Sequence, residues 1–225
     1  MSHPLRLVVR VLVLTTMVAT PALALGPVDG EVGALWWANE YDTGGDSADA
    51  GVPGINAELW WQSKFGVRAK LFGDVDNTSS SSDYTAVDVM WKPFSPTENN
   101  FVAVGVGWQD MDFTAIDSFS GDTSGMRLSV EGRVGIVGMV YAYGQAAYLP
   151  SMGDASDSVN EYSDMDGLEY EVGVSWKPAP FISVRGGYRE AQLDYTRVEF
   201  GGAETSESSE SSESSGFLLG VGFHF

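Results

Sequence analysis

The sequence predicts an all-β fold, a transmembrane antiparallel up-and-down β-barrel of about ten strands with eight as the alternative, from three observations. Apolar and polar residues alternate in one segment after another. The last of these segments ends the chain on an apolar stripe. Beyond the N-terminus, no stretch holds the ~20 apolar residues that a membrane helix needs. Among 225 residues there are 27 Gly, 7 Trp, 9 Tyr and no Cys. That composition suits strands with aromatic girdles, and it removes disulfides, thiolate metal sites and Cys nucleophiles.

Residues 1–24 read as a secretory signal peptide. Arg6 and Arg10 precede an apolar run from Val11 to Ala19, interrupted by Thr15 and Thr16, and Ala22-Leu23-Ala24 supplies a small-residue cleavage site. Residues 25–225 then form one barrel domain, a size that fits a single domain.

The strands follow in order, each with its apolar members on one parity. Val32, Ala34, Trp36 and Ala38 share a face between Glu31 and Asn39. The second strand offers Ile55, Ala57, Leu59 and Trp61, and the third offers Phe65, Val67, Ala69 and Leu71. Thr85, Val87, Val89 and Trp91 follow, then Val102, Val104, Val106 and Trp108. The sixth carries Met126, Leu128, Val130, Val134 and Ile136; in the seventh, Val140, Ala142, Ala146 and Tyr148 compete with Tyr141 and Tyr143. Leu168, Tyr170, Val172, Val174 and Trp176 make the eighth, and Ile182, Val184 and Tyr188 the ninth. Leu193 and Tyr195 break that last parity, which predicts a bulge near Arg189-Glu190. Each strand is expected to span roughly 9–11 residues, the length of a tilted membrane strand.

In the closing strand Phe217, Leu219, Val221, Phe223 and Phe225 share one face, opposite Gly216, Leu218, Gly220, Gly222 and His224. This end resembles the C-terminal signature of small bacterial outer-membrane β-barrel proteins, the generic OmpA-like class. The resemblance implies an outer-membrane location, contact with outer-membrane lipids and lipopolysaccharide, and an assembly machinery that reads Phe223 and Phe225. A monomer is expected.

Short connections are expected around Ser63-Lys64, Lys92 to Asn100, Val137-Gly138-Met139 and Lys177 to Pro180. Longer polar ones are expected at Tyr41 to Gly54, Asn77 to Ser82 and Pro150 to Asp166. This alternation puts short turns on the periplasmic side with both chain ends. Trp61 and Phe65 both face out, so an odd number of residues separates them; the same holds for Ile136 and Val140.

Charges occupy the opposite parity. Arg68, Lys70, Lys92, Arg127, Arg133, Lys177, Arg185 and Arg189 are predicted to face the lumen with Glu31, Glu58, Asp74, Asp88, Glu131, Glu169 and Glu171. A cation on the lipid face costs roughly 2–4 kcal/mol at mid-bilayer, which accounts for the segregation. Inside, these charges either fill the barrel as ion pairs or line a path for small solutes. Ten strands with so many long side chains inside predict a narrow or plugged lumen, with inward Gly105, Gly107, Gly173, Gly220 and Gly222 making room.

The net charge is −19, and the leader holds two of the twelve basic residues and none of the 31 acidic ones. Since the lumen is nearly balanced, the acidity belongs to the exterior, at residues such as Asp42, Asp46, Asp49, Asp110, Asp112, Asp117, Asp122, Asp154, Asp157 and Glu161. Nucleic acid is excluded as a partner for such a surface. The tract Glu204 to Ser215, with Glu204, Glu207, Glu210 and Glu213 among Ser and Thr, is expected to be disordered. Asp164-Met165-Asp166-Gly167-Leu168-Glu169 only superficially matches a calcium loop, and no cofactor or metal is expected.

Small barrels that are enzymes use a histidine base near the outer leaflet. Here the two histidines are His3, in the leader, and His224, at the periplasmic rim. The expectation is a noncatalytic integral outer-membrane protein, structural or passing small solutes poorly, with surface recognition through acidic loops as the alternative.

Overall fold

Period-two patterning closes into a barrel. In the computed structural model the described residues are 28–42, 47–73, 81–97, 100–114, 120–156, 160–199 and 206–225. The signal peptide, Asp74, Asp46, Asp117, Asp157 and Glu204 lie outside them. The strands are β1 (Val28–Asp42), β2 (Ser47–Trp61), β3 (Phe65–Phe72), β4 (Ser81–Thr97), β5 (Asn100–Thr114), β6 (Ser120–Val137), β7 (Val140–Leu149), β8 (Ala155–Ser156), β9 (Asn160–Ala179), β10 (Ile182–Glu199) and β11 (Ser206–His224). Every pairing is antiparallel, and apart from the closing one it joins sequence neighbours, except that β7 pairs β9 directly while the two-residue β8 sits on β9. β1 pairs β11, with Glu31 opposite His224, so ten strands form a closed ring.

The outward faces follow the sequence parity, save that Ala69 and Leu71 of the third strand's expected face are buried. Trp36, Val89, Trp91, Val106, Trp108, Val134, Val172, Trp176 and Leu219 are all exposed to the exterior. An apolar belt of this kind has no counterpart in water, and it is the surface that hydrocarbon covers. Tyr141 and Tyr143 are buried inside, which settles the seventh strand in favour of Val140, Ala142, Ala146 and Tyr148 as the outer set.

Most wall strands are longer than the expected 9–11 residues, β9 having 20 and β11 having 19, while β3 has 8 and β7 has 10. Segments expected as loops continue the wall. Ser47 to Gly54 pairs with β1, and Ser206 to Ser215 pairs with β10 from Glu199 to Glu190. The Ser and Glu tract therefore corrects the expectation of disorder over those residues. It has no core to pack, but ladder hydrogen bonds to β10 on one side, and to β1 from Glu213 onward, satisfy its backbone.

Of the two turns expected from parity, the first is as expected and the second differs in detail. Trp61 pairs Phe65 across a three-residue turn, with Gln62 and Ser63 at positive φ. Val137 pairs Val140 across Gly138-Met139, and a register shift at Ile136 supplies the odd residue as a bulge. The stretch Lys92 to Asn100 is mostly ladder, with shifts either side of the Phe94–Val102 pair.

No bulge occurs near Arg189-Glu190: β10 pairs β11 without a shift, and Leu193 keeps the inward parity of Arg185 and Arg189. The irregularity lies higher, where Asp194 faces Asp166 but Thr196 faces Ser163, and Asp164 has φ 53°. This extra β9 residue reverses parity, so Met165 and Tyr162 both turn inward. They join Leu149, Met152 and Leu193 in an apolar cluster that fills the upper lumen. Past Pro150 the chain fills the gap above the short β7, with Met152 bridging Gly125 of β6 and its amide bonded to Met165 of β9.

Candidate functional site: the charged lumen

Alternation places the inward charges of neighbouring strands side by side. Arg68 stands in register with Glu58 on β2 and with Asp88 on β4. Its guanidinium donates to Asp88 Oδ2 through Nη2 at 2.7 Å and reaches Glu131 Oε2 on β6 through Nη1 at 2.9 Å. Glu131 is fully buried, and its other oxygen accepts from Arg133 Nε at 2.7 Å. Arg133 goes on to Glu58 Oε2 at 2.6 Å.

Asp88 leads the other way. Its Oδ1 lies 3.3 Å from Arg127 Nε, and Arg127 Nη1 donates to Glu169 Oε2 at 2.7 Å. Arg189 Nη2 closes on the same Glu169 oxygen at 3.4 Å. Glu58, Arg133, Glu131, Arg68, Asp88, Arg127, Glu169 and Arg189 thus form one chain of strictly alternating sign, built from β2, β3, β4, β6, β9 and β10. Tyr84 and Gln109 also donate to Glu169, at 3.0 and 2.9 Å, completing its acceptor sites.

Two smaller groups flank the chain. Lys70 donates to Glu171 at 2.6 Å and to Gln145 at 3.1 Å. Glu31 accepts from Arg185 and from Ser183, and its second oxygen lies 3.2 Å from His224 Nε2. Gly220 and Gly222 make this packing possible. A Cβ at 220 would stand 2.9 Å from Arg185 Cγ, and one at 222 would stand 2.5 Å from Glu31 Oε1.

Burial makes the pairing obligatory, because an unpaired ion in this interior would be far more costly than on the surface. The predicted lumen residues Glu31, Arg68, Lys70, Asp88, Lys92, Arg127, Glu131, Arg133, Glu169, Glu171, Arg185 and Arg189 are all buried. Glu58 is half-buried, and Lys177 is half-buried near the Tyr141 ring. Phe223 and Phe225 lie exposed on the outer face of β11.

The parity pattern did not reveal the aromatic residues inside. Trp37, Phe72 and Tyr84 pack together with Leu35, Val52, Ala86 and Leu218. The Arg189 guanidinium lies 4.7–5.0 Å from the three ring centroids, within cation–π range. A second group of Trp60, Met90, Phe101 and Ala103 lies elsewhere in the lumen. The available signal was apolar residues on both parities, as in Leu35-Trp36-Trp37, Trp60-Trp61 and Leu71-Phe72.

The chemistry open to this arrangement is limited. Among the described residues no group of three or more His, Asp or Glu side chains is placed to hold a metal ion. Asp164 and Asp166 face outward while Glu169 is buried in the lumen, so the loop resembling a calcium motif does not converge. His224 is engaged with Glu31 at the rim.

No family model and no curated protein matches the chain. Solved structures do. The outer membrane protease OmpT from Escherichia coli superposes with a TM-score of 0.53 at 9% identity, over 90% of this chain and 97% of that one. The translocator domain of autotransporter NalP from Neisseria meningitidis gives 0.48 at 10% identity, over 96% of both chains. Neisserial surface protein A gives 0.42 at 16% identity, over 88% of this chain and 97% of that one. The OmpT likeness shows the fold, that of the outer-membrane β-barrels.

Proposed function

We propose that this outer-membrane-type barrel is a noncatalytic integral protein of the bacterial outer membrane, held in lipid and lipopolysaccharide as a monomer, with a lumen that passes small solutes poorly. The observation that carries the reading is the alternating ion chain from Glu58 to Arg189, which joins opposite walls of the barrel. A water-filled path needs a continuous open bore. Here the charged side chains reach across the lumen to one another, and an apolar cluster around Met152 and Leu193 lies above them.

The test is conductance of the purified protein in a planar bilayer. Wild type should give at most rare, small openings. Steady ion-selective channels would make a small-solute channel the function.

A second reading, surface recognition, rests on the outer face above the belt. Asp166 and Asp194 stand opposite each other there, and Asp83, Asp112 and Asp122 fall in one row across β4, β5 and β6. Like charges in register weaken a sheet, so such rows serve the surface rather than the wall. Loss of surface binding in cells by an Asp166→Asn, Asp194→Asn variant that inserts normally would support it.

A further inference from the structure

We propose that the upper edge of β11, Ser206–Ser211, is a docking site for an extended segment of another protein that carries Lys or Arg and adds to the sheet as a further strand. The ladder between β11 and β10 runs up to the pair Ser206 and Glu199, whereas the ladder between β11 and β1 stops at Glu213 and Asp42. Among the described residues, no strand lies on the other flank of Ser206–Ser211. The ring is closed below this level and open-edged above it.

The edge stands in water. Phe217 is the last apolar residue on the outer face of β11, and Ser211 lies about 20 Å beyond it along the strand, at ~3.3 Å per residue. This end is opposite Val28 and Phe225, the extracellular one when short turns face the periplasm. Sheet edges are ordinarily blunted by Pro, Lys or a bulge; Ser206–Ser211 has none of the three. Its backbone is already extended and offers an unladdered flank to an incoming strand.

Charge selects the occupant. Glu207 and Glu210 are the only charged residues of the edge. A second copy in full antiparallel overlap would put Glu207 opposite Glu210 twice, and like charges directly opposite destabilise a pair of strands. A strand with basic residues three apart instead sets one opposite each glutamate. Glu210 accepts from Ser208 and lies 3.6 Å from Arg197, but both contacts use Oε1 and leave Oε2 open. The adjoining segments strengthen the preference, since residues 160–166 of β9 and 190–199 of β10 hold six carboxylates and one cation, Arg197. Such a dock deepens the surface-recognition reading, and it uses a strand edge rather than the aspartate rows.

The test uses the full barrel in lipid nanodiscs and three fluorescent peptides, repeats of Thr-Lys-Thr, Thr-Glu-Thr and Thr-Lys-Pro, followed by anisotropy. The Thr-Lys-Thr peptide is expected to bind saturably, on the order of tenfold more tightly than either of the others. The second peptide reverses the charge, and the third keeps it but lacks ladder donors at its prolines. Glu207→Lys, Glu210→Lys should reverse the order of the first two. The Asp166→Asn, Asp194→Asn variant should keep the wild-type order, so the edge and the rows can fail separately. Equal binding of Thr-Lys-Thr and Thr-Lys-Pro would reduce the contact to charge alone and overturns the proposal. So does an order that the Lys variant leaves unchanged or the Asn variant abolishes. If wild type dimerises in detergent and only the monomer binds peptide, the edge belongs to a second copy and the proposal falls.

Discussion

Arg68 on β3 and Glu131 on β6 meet at 2.9 Å although β4 and β5 separate them in the wall. Their bond therefore crosses the lumen. Glu131 holds Arg133 as well, so removing it takes one of two carboxylate partners from each of two buried guanidiniums. Glu131→Ala should destabilise the barrel by roughly 3–5 kcal/mol, the usual cost of breaking a buried pair from one side. Urea unfolding in lipid vesicles measures it, and a loss under 1 kcal/mol would show the chain to be solvated.

Arg133→Ala separates filling from conduction. It should cost a similar ~3–5 kcal/mol by leaving Glu58 without its guanidinium partner, with little gain in conductance, because Arg68, Asp88, Arg127 and Glu169 remain joined. Near-normal stability with a shift toward cation selectivity would instead mark an open path.

The apolar cluster and the ion chain act as barriers in series. Met152→Ser loosens only the upper one and should leave bilayer current near wild type. Combined with Arg133→Ala it should raise current well above either single variant. Additive small currents from the singles would show that the barriers are not in series.

Residues 206–215 should exchange their amide hydrogens slowly in lipid, because they sit in a ladder with β10. Exchange at the rate of a free peptide would restore the disordered reading.

Phe225 exchanges two backbone hydrogen bonds with Gly30, each 3.0 Å, and leaves its ring half in the open. Deleting it removes one edge side chain, worth ~1.5–3 kcal/mol at most. Refolding in detergent should survive, while insertion in cells falls sharply if the assembly machinery reads the residue. Equal defects in both assays would refute that separation.

The belt was legible because lipid and lumen make opposite demands of adjacent residues, as at Val67 against Arg68 and at Val87 and Val89 against Asp88. Upper wall segments were not legible. In Ser206 to Ser215 both faces meet polar surroundings, so no apolar stripe distinguishes strand from loop. Leu193 misled for the converse reason: above the belt an inward residue can be apolar, and its parity was judged by the rule that holds within lipid. Lumen charges could be assigned a side but not a partner. Arg189 faces Glu171 in register yet bonds to Glu169, while Glu171 is taken by Lys70 from across the barrel.

The seam that joins Glu31 to His224 has a consequence for biogenesis. Its two edges are β1 and β11, so the ring cannot close until β11 has been delivered. Until then β1 offers a bare strand edge, and Glu31 lacks its His224 neighbour. A chain cut before β11 would be left with β1 and β10 as two sticky margins rather than a slightly shorter barrel.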